Sequence, residues 1–296
     1  MHDVIVVGAG PAGVSAALYA KARGLEVLVL EKSQVGGLIS GVSKVSHYAS
    51  VGEHESGQEF ASKLSEQLDY SQIPVQIEEV NSISKTEAGF KVISSKAEYE
   101  AKTVILAIGS TLKELDQDKF KDLPTEHWPL GKEELYKGKT VVINGGSDGA
   151  SKEALYLAQF AKCVHMVQDQ DRLLCISEFK KQIEASDKII AHTSATLESY
   201  KTEGDMCTEV VLSNGASIRD SEGIVVFVQI GQHGNADLLE SFSFETQNGF
   251  VQSEISTDID GLYLAGDIRV KPVRQIATAV ADGCLAGIEA AKKAQA

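Results

Sequence analysis

Val4-Ile5-Val6-Val7-Gly8-Ala9-Gly10-Pro11-Ala12-Gly13 is the stretch that decides the fold. Val4 to Val7 is an apolar run of strand length that Gly8 ends, and an apolar-periodic segment from Ala12 to Arg23 follows. Glu26 to Leu30 then reads as a second buried strand, which makes a βαβ unit. The glycine spacing alone is a weak signal; between a strand and a helix it acquires a mechanism. Gly8 permits the tight turn, Gly10 lets the backbone approach a pyrophosphate with no Cβ in the way, and Gly13 lets the helix pack closely on the strand. Pro11 and Ala12 open that helix, whose free N–H groups and dipole favour an anion. Glu31 ends the second strand 18 residues after Gly13, with Lys32 beside it, where a carboxylate can accept bonds from ribose hydroxyls.

The pattern recurs. Thr140 to Ile143 is a strand, Gly145-Gly146-Ser147-Asp148-Gly149-Ala150 a glycine-rich turn, Lys152 to Phe160 a helix and Cys163 to Val167 a second strand. Between the two units lie a helix over Gly57 to Leu68, strand segments of a meander over Val75 to Ile93, and a strand from Thr103 to Ala107 that Gly109 closes. Residues 113–138 are charged and weakly periodic, so they read as a connection. Gly223 to Ile230 and Leu262 to Ala265 are further strands, and Ile276 to Ala291 is a final helix. The expected class is α/β, with two Rossmann-like dinucleotide-binding domains of three-layer ββα type, the second inserted in the first. Residues 1–113 and 241–296 form the first domain and 114–240 the insertion.

Composition narrows the partners. The 296 residues carry 28 Lys and Arg against 42 Asp and Glu, a net charge of −14, which disfavours nucleic acid and anionic membrane. No run approaches the roughly 18 apolar residues of a membrane span, and the first strand starts at Asp3, so a leader is not expected and the cytoplasm is. Cys163, Cys175, Cys207 and Cys284 form no C-x-x-C pair and read as reduced packing thiols, with Cys163 and Cys175 considered as a relocated redox pair. No His, Cys and carboxylate cluster has metal-ligand spacing, so no metal is expected. The strand before Gly266-Asp267 and the helix from Ile276 favour FAD as the dinucleotide, because a helix N-terminus under the ring stabilises the charge that collects there on reduction.

Over nearly its whole length the chain resembles the low-molecular-weight thioredoxin reductase family. The matching residues are Gly266-Asp267-Ile268-Arg269-Val270-Lys271-Pro272-Val273-Arg274-Gln275-Ile276, the first glycine turn, Gly36-Gly37, Ile105-Leu106-Ala107-Ile108-Gly109, and Val226-Phe227-Val228-Gln229-Ile230-Gly231. The resemblance implies a homodimer formed through the FAD domains. It also implies an FAD site made of Gly8, Gly10, Pro11, Ala12, Gly13, Glu31, Lys32, Gly37, Val80, Ala107, Gly109, Gly266, Asp267, Arg274, Gln275 and Ile276.

The departures bear on function. Counted back from Lys137-Gly138-Lys139, the family's dithiol tetrad is here Trp128-Pro129-Leu130-Gly131, so the family's relay from flavin to thioredoxin is not expected. In the second turn Ser147 stands where the backbone must approach a pyrophosphate, and Gln168-Asp169-Gln170 replace the basic residues that hold a 2′-phosphate. Asp169 would repel that phosphate, so NADH is expected over NADPH, with a second flavin or no nucleotide as alternatives at Gly145 to Ala150. His47 and Tyr48 fall where relatives line the flavin edge, and Trp128 either stacks on the flavin or packs as a hydrophobic residue. The expected function is an FAD-dependent oxidoreductase that joins a donor, NADH or another carrier, to a small-molecule or protein redox partner. The alternatives are a flavin- or ferredoxin-linked disulfide oxidoreductase without pyridine nucleotide, and a non-catalytic flavin sensor.

Overall fold

The computed structural model describes all 296 residues, and by contacts they divide into two units. The first comprises 1–40, 45–111 and 233–296; the second comprises 41–44 and 112–232. The division falls at 111 and 233, compared with the expected 113 and 241, and it assigns four residues of the N-terminal part to the second unit.

In the first unit, strands Val75–Ile77, Val27–Glu31, His2–Val7 and Glu98–Leu106 lie side by side in parallel. Val27 to Glu31 is buried at every position, as expected of a parallel strand covered on both faces. Glu98–Leu106 has a divided role: Ala101 and the residues before it pair antiparallel with Gly89–Ser94, and Val104 to Leu106 pair parallel with Leu262–Leu264. The expected meander therefore runs over 80–106, while Val75–Ile77 leaves it for the opposite edge beside Val27–Glu31. Ile5, Val7, Leu28, Leu30, Val104 and Leu106 pack with Phe90 and Val92 into one core.

Helix Pro11–Lys21 lies against helix Ile276–Gln295 closely enough that Gly283 and Gly287 admit no side chain. A Cβ on Gly283 would stand 2.1 Å from the Ala12 carbonyl oxygen, and one on Gly287 2.5 Å from that of Ala16. The two ends of the sequence are thus locked together at the first glycine turn. Helix Gly57–Tyr70 is started by a capping box in which Ser56 and Glu59 satisfy each other's backbone N–H groups.

In the second unit the strand order is Ile189–His192, Cys163–Val167, Thr140–Asn144, Ser217–Val228, Met206–Leu212 and Leu197–Glu203, the first four parallel. Alternate residues of the central strands feed two cores. Val142, Val167 and Val226 pack on one face, while Val141, Ile143, Val164, Met166 and Phe227 pack against Ala150, Ala154 and Leu157 on the other. The stretch 113–138, expected as a connection, is built into this unit. Leu115, Phe120 and Leu123 fill the first face, Tyr136 is fully buried on the second, and Thr125–Glu126 adds a short strand beside Ser217–Val228. Its weak periodicity reflects two four-residue helices and a two-residue strand, each too short to display a period. Residues 41–44 join through Ser43, whose N–H donates to both Glu153 carboxylate oxygens at 3.2 and 3.3 Å.

Candidate functional site

At the first turn the glycines separate into two kinds. Gly8 has φ +99°, its N–H donates to the Leu30 carbonyl at 2.8 Å, and a Cβ there would lie 2.5 Å from the Ala107 carbonyl oxygen. A Cβ on Gly13 would stand 1.8 Å from the Gly8 carbonyl oxygen. Packing alone demands both residues. Gly10 is different, because the nearest atom to a Cβ there is the Gly36 carbonyl oxygen at 3.9 Å. The absence of a side chain at Gly10 leaves a cradle at the helix N-terminus open to a group from outside the protein.

Gly36 donates its N–H to the Ala9 carbonyl at 2.8 Å, which brings Gly37, at φ +58°, beside Gly10. Glu31 is buried at the end of its strand, where Oε2 accepts the Ala9 N–H at 2.8 Å and Oε1 accepts the Ser33 N–H at 2.9 Å. The carboxylate is oriented by the turn it serves. Lys32 is exposed, Gly109 lies at φ +62° in open space, and the Val80 side chain is spent in the core beside Ile83 and Phe90.

The C-terminal segment delivers a second set of groups to the same helix. Gly266, at φ +78°, leaves only 2.8 Å between a hypothetical Cβ and the Ala12 methyl. Beside it the Asp267 Oδ1 is buried without a hydrogen-bond partner. Burial raises the Asp267 carboxyl above its ordinary range, with Lys271 and Arg274 opposing that shift and Asp282 adding to it. Arg274 holds its guanidinium 3.8 Å over the Phe250 ring and donates to the Arg269 carbonyl at 3.2 Å, yet its Nε is buried and unpartnered. An orphaned acceptor and an orphaned donor in one segment mark polar groups that await a ligand. Helix Ile276–Gln295 starts nearby with no acid in its first turn, and Gln275 and Thr278 form its cap. Together with the open cradle, these residues fit FAD.

Asp282 is the residue that the motif-by-motif reading missed. Its Oδ2 accepts the Gly266 N–H at 3.0 Å and lies 2.9 Å from Lys271 Nζ and 3.1 Å from Arg269 Nη1. All three charged side chains are nearly buried. The available signal was that three cations in Gly266 to Ile276, Arg269, Lys271 and Arg274, outnumber its one acid, Asp267, and that Asp282 is the first acid on the helix that follows.

His47 is exposed at φ +58° and Tyr48 turns its ring edge-on to Phe60 at 5.8 Å, so Tyr48 packs on helix Gly57–Tyr70. In the second unit Trp128 covers Gly41 so closely that a Cβ there would lie 2.5 Å from the indole. His127 holds this stretch to the sheet, with Nδ1 2.9 Å from the Val228 carbonyl and Nε2 2.8 Å from Glu114. Cys163 and Cys175 do not form a pair: Cys163 lies beside Thr140 and His165, while Cys175 packs against the core on the opposite face.

The second turn repeats backbone bonds of the first. Gly145, at φ +142°, donates to the Val167 carbonyl at 2.8 Å, as Gly8 does to Leu30, and a Cβ on it would meet the Gln229 carbonyl at 2.3 Å. The correspondence puts Gln168 in the place of Glu31 and Asp169 in the place of Lys32. Gln168 is buried, with its Oε1 2.8 Å from a Cβ built on Gly146, and Asp169 is exposed. Ser147 caps helix Asp148–Leu157 without a side-chain bond, and Gly149 and Ala150 lie in its first turn. Asp148 Oδ1 accepts the Ile176 N–H at 2.7 Å, and Leu174 donates its N–H to Gly146 at 2.8 Å, so the segment after Gln168 folds back over the turn.

Two turns of this geometry on parallel sheets, one with an open cradle and orphaned polar groups, define a dinucleotide-dependent flavoprotein. Residues 2–283 match the family described as pyridine nucleotide-disulphide oxidoreductase, and the chain belongs to that family. It is 30% identical over 308 residues to the thioredoxin reductase of Helicobacter pylori (strain J99), covering 97% of each chain. It is 28% identical over 293 residues to that of Bacillus subtilis (strain 168), covering 97% of this chain and 92% of the relative. The crystal structure of Lactococcus lactis thioredoxin reductase superposes with a TM-score of 0.92 at 25% identity, covering 100% of this chain and 99% of that one. The protein is thus an FAD-dependent oxidoreductase of thioredoxin reductase type. No helix is long and apolar enough to cross a membrane.

Proposed function

We propose that the protein reduces its FAD with NADH and passes the electrons from the flavin directly to an oxidised acceptor, with no dithiol between them. The observation that carries this reading is the absence of any C-x-x-C in a chain otherwise built like its relatives, with Trp128 and Gly131 at the tetrad and Trp128 packed on Gly41. FAD supplies two-electron chemistry, and the residues that would hold it are those of the open cradle, Glu31, Asp267, Arg274 and the start of helix Ile276–Gln295.

The donor preference rests on charge. Asp169 is exposed at the position just past the ribose-reading residue, and the only cation of the segment 168–176, Arg172, lies 3.6 Å from Asp171. A 2′-phosphate there would meet carboxylates with no free cation to offset them. Anaerobic titration should therefore bleach the flavin at lower NADH than NADPH concentration, and Asp169→Arg with Gln170→Arg should move the preference toward NADPH by about tenfold or more. A wild type that prefers NADPH would overturn the assignment. A second reading is favoured by Asp148 and Asp169, the acids in and beside the second turn: the insertion takes no pyridine nucleotide and the flavin receives electrons from reduced ferredoxin or free reduced flavin. Bleaching by those carriers but by neither nucleotide would select it.

A further inference from the structure

Of the three cations in Gly266 to Ile276, one is held differently from the others. Arg269 pairs with Glu254 and Asp282, and Lys271 pairs with Asp282. Arg274 forms no ion pair: its guanidinium stands 3.8 Å over the Phe250 ring and donates through Nη2 to the Arg269 carbonyl at 3.2 Å. Its Nε is buried without a partner. A carboxylate would hold a guanidinium and cancel its charge, whereas an aromatic face holds it and leaves the charge intact. The face also leaves the N–H groups free, because they lie in the guanidinium plane. A buried, unpartnered N–H on an uncancelled cation calls for an acceptor from outside the protein.

Phe250 is itself fixed by backbone. It is buried, and it belongs to a short hairpin in which Thr246–Gln247 pairs with Phe250–Val251 through Asn248 and Gly249, at φ +53° and +75°. Gly249 lies so close to Gly234 that a Cβ on Gly234 would stand 2.0 Å from the Gly249 carbonyl oxygen. The Val251 carbonyl accepts the Val270 N–H at 2.8 Å, which ties the hairpin to the segment that carries Arg274. The ring is thus brought to Arg274 by main-chain bonds that do not involve the arginine side chain.

We propose that Phe250 is a positioning residue that holds Arg274 as an uncancelled positive charge for the reduced flavin, and so raises the flavin's reduction potential. Two electrons and one proton add one negative charge to a bound flavin, and a fixed cation near that charge favours the reduced form over the oxidised one. The first unit offers two helix N-terminal ends to anions. The end of helix Pro11–Lys21 lies at the open Gly10 cradle, which fits the pyrophosphate. Helix Ile276–Gln295 starts two residues after Arg274 and has no acid in its first turn. With the pyrophosphate met at the first end, Arg274 and the second end are left for the charge that reduction adds. This inference rests on bound FAD and not on the donor or acceptor proposed above.

The test measures two quantities on the FAD-loaded protein: the dissociation constant of oxidised FAD, and the two-electron midpoint potential by anaerobic titration against a reference dye. Phe250→Leu should lower the potential by about 30 mV or more, which means that reduced FAD loses about tenfold more affinity than oxidised FAD. Arg274→Met should lower it at least as far. The double variant should fall no further than Arg274→Met, because the ring acts through the arginine. Phe250→Tyr keeps the aromatic face and should stay near the wild-type potential. An unchanged potential in Phe250→Leu or in Arg274→Met would overturn the proposal even if FAD bound more weakly, since an equal loss for both redox forms marks a contact that does not sense reduction. Additive shifts in the double variant would overturn it too. If Phe250→Leu does not hold FAD, Phe250→Met and Arg274→Met decide in the same comparison.

Discussion

Gly10→Val is expected to give a folded protein that purifies colourless. Space is the reason: no protein atom lies within 3.9 Å of a Cβ at this position, so the added side chain costs the apoprotein little and occupies the place of the pyrophosphate. Gly13→Val is the contrasting case, since its Cβ would start 1.8 Å from the Gly8 carbonyl oxygen and the strand and helix could not meet. The Gly10 variant should match the FAD-stripped wild type in thermal stability, and only the wild type should gain from added FAD, by about 2.7 kcal/mol at a hundredfold excess over Kd. Visible absorbance and a melting curve read both effects. A yellow Gly10→Val protein would show that the cradle is not where the flavin pyrophosphate lies.

The next largest effect is expected from Asp282→Asn. The variant keeps an acceptor for the Gly266 N–H but removes the charge that neutralises Arg269 and Lys271, both nearly buried. Arg269 keeps Glu254 at 3.2 Å, so the stranded cation is Lys271, and leaving a nearly buried cation without its partner costs about 3–5 kcal/mol, against about 0–1 kcal/mol for an exposed pair. Because Asp282 fixes the segment that carries Asp267 and Arg274, FAD should also be lost more readily. Lys271→Met added to Asp282→Asn should recover part of the stability, since it removes the stranded charge. Urea unfolding of both variants measures this, and a loss below about 1 kcal/mol would mean that the three charges are solvated in solution.

The legible part of the fold was the part with repetition in it. Val4 to Glu31 and Thr140 to Val167 could be read because each strand, turn and helix is bounded by glycines whose positions packing enforces, as the Gly8 and Gly145 contacts show. Residues 113–138 could not, because Leu115, Phe120, Leu123 and Tyr136 serve two opposite faces of one sheet from elements of two to four residues. Val75–Ile77 was assigned to the wrong neighbour because a three-residue strand carries no mark of its partner. At the site, the glycines and Glu31 were visible in the sequence, whereas the role of Asp282 depends on contacts between separate elements. Even Gln168 gained its meaning only when the Gly145 bond to Val167 aligned it with Glu31.

The central claim is that the flavin hands electrons to the acceptor without a dithiol, and the most direct test is a count of electrons. Anaerobic reductive titration of the FAD-loaded protein with dithionite should bleach the flavin fully at about two electrons per FAD, with no further uptake, because the proposed route has no second redox centre beside the flavin. Uptake of about four electrons per FAD, with the flavin bleaching only after the first two, would reveal a disulfide in exchange with the flavin and would contradict the account.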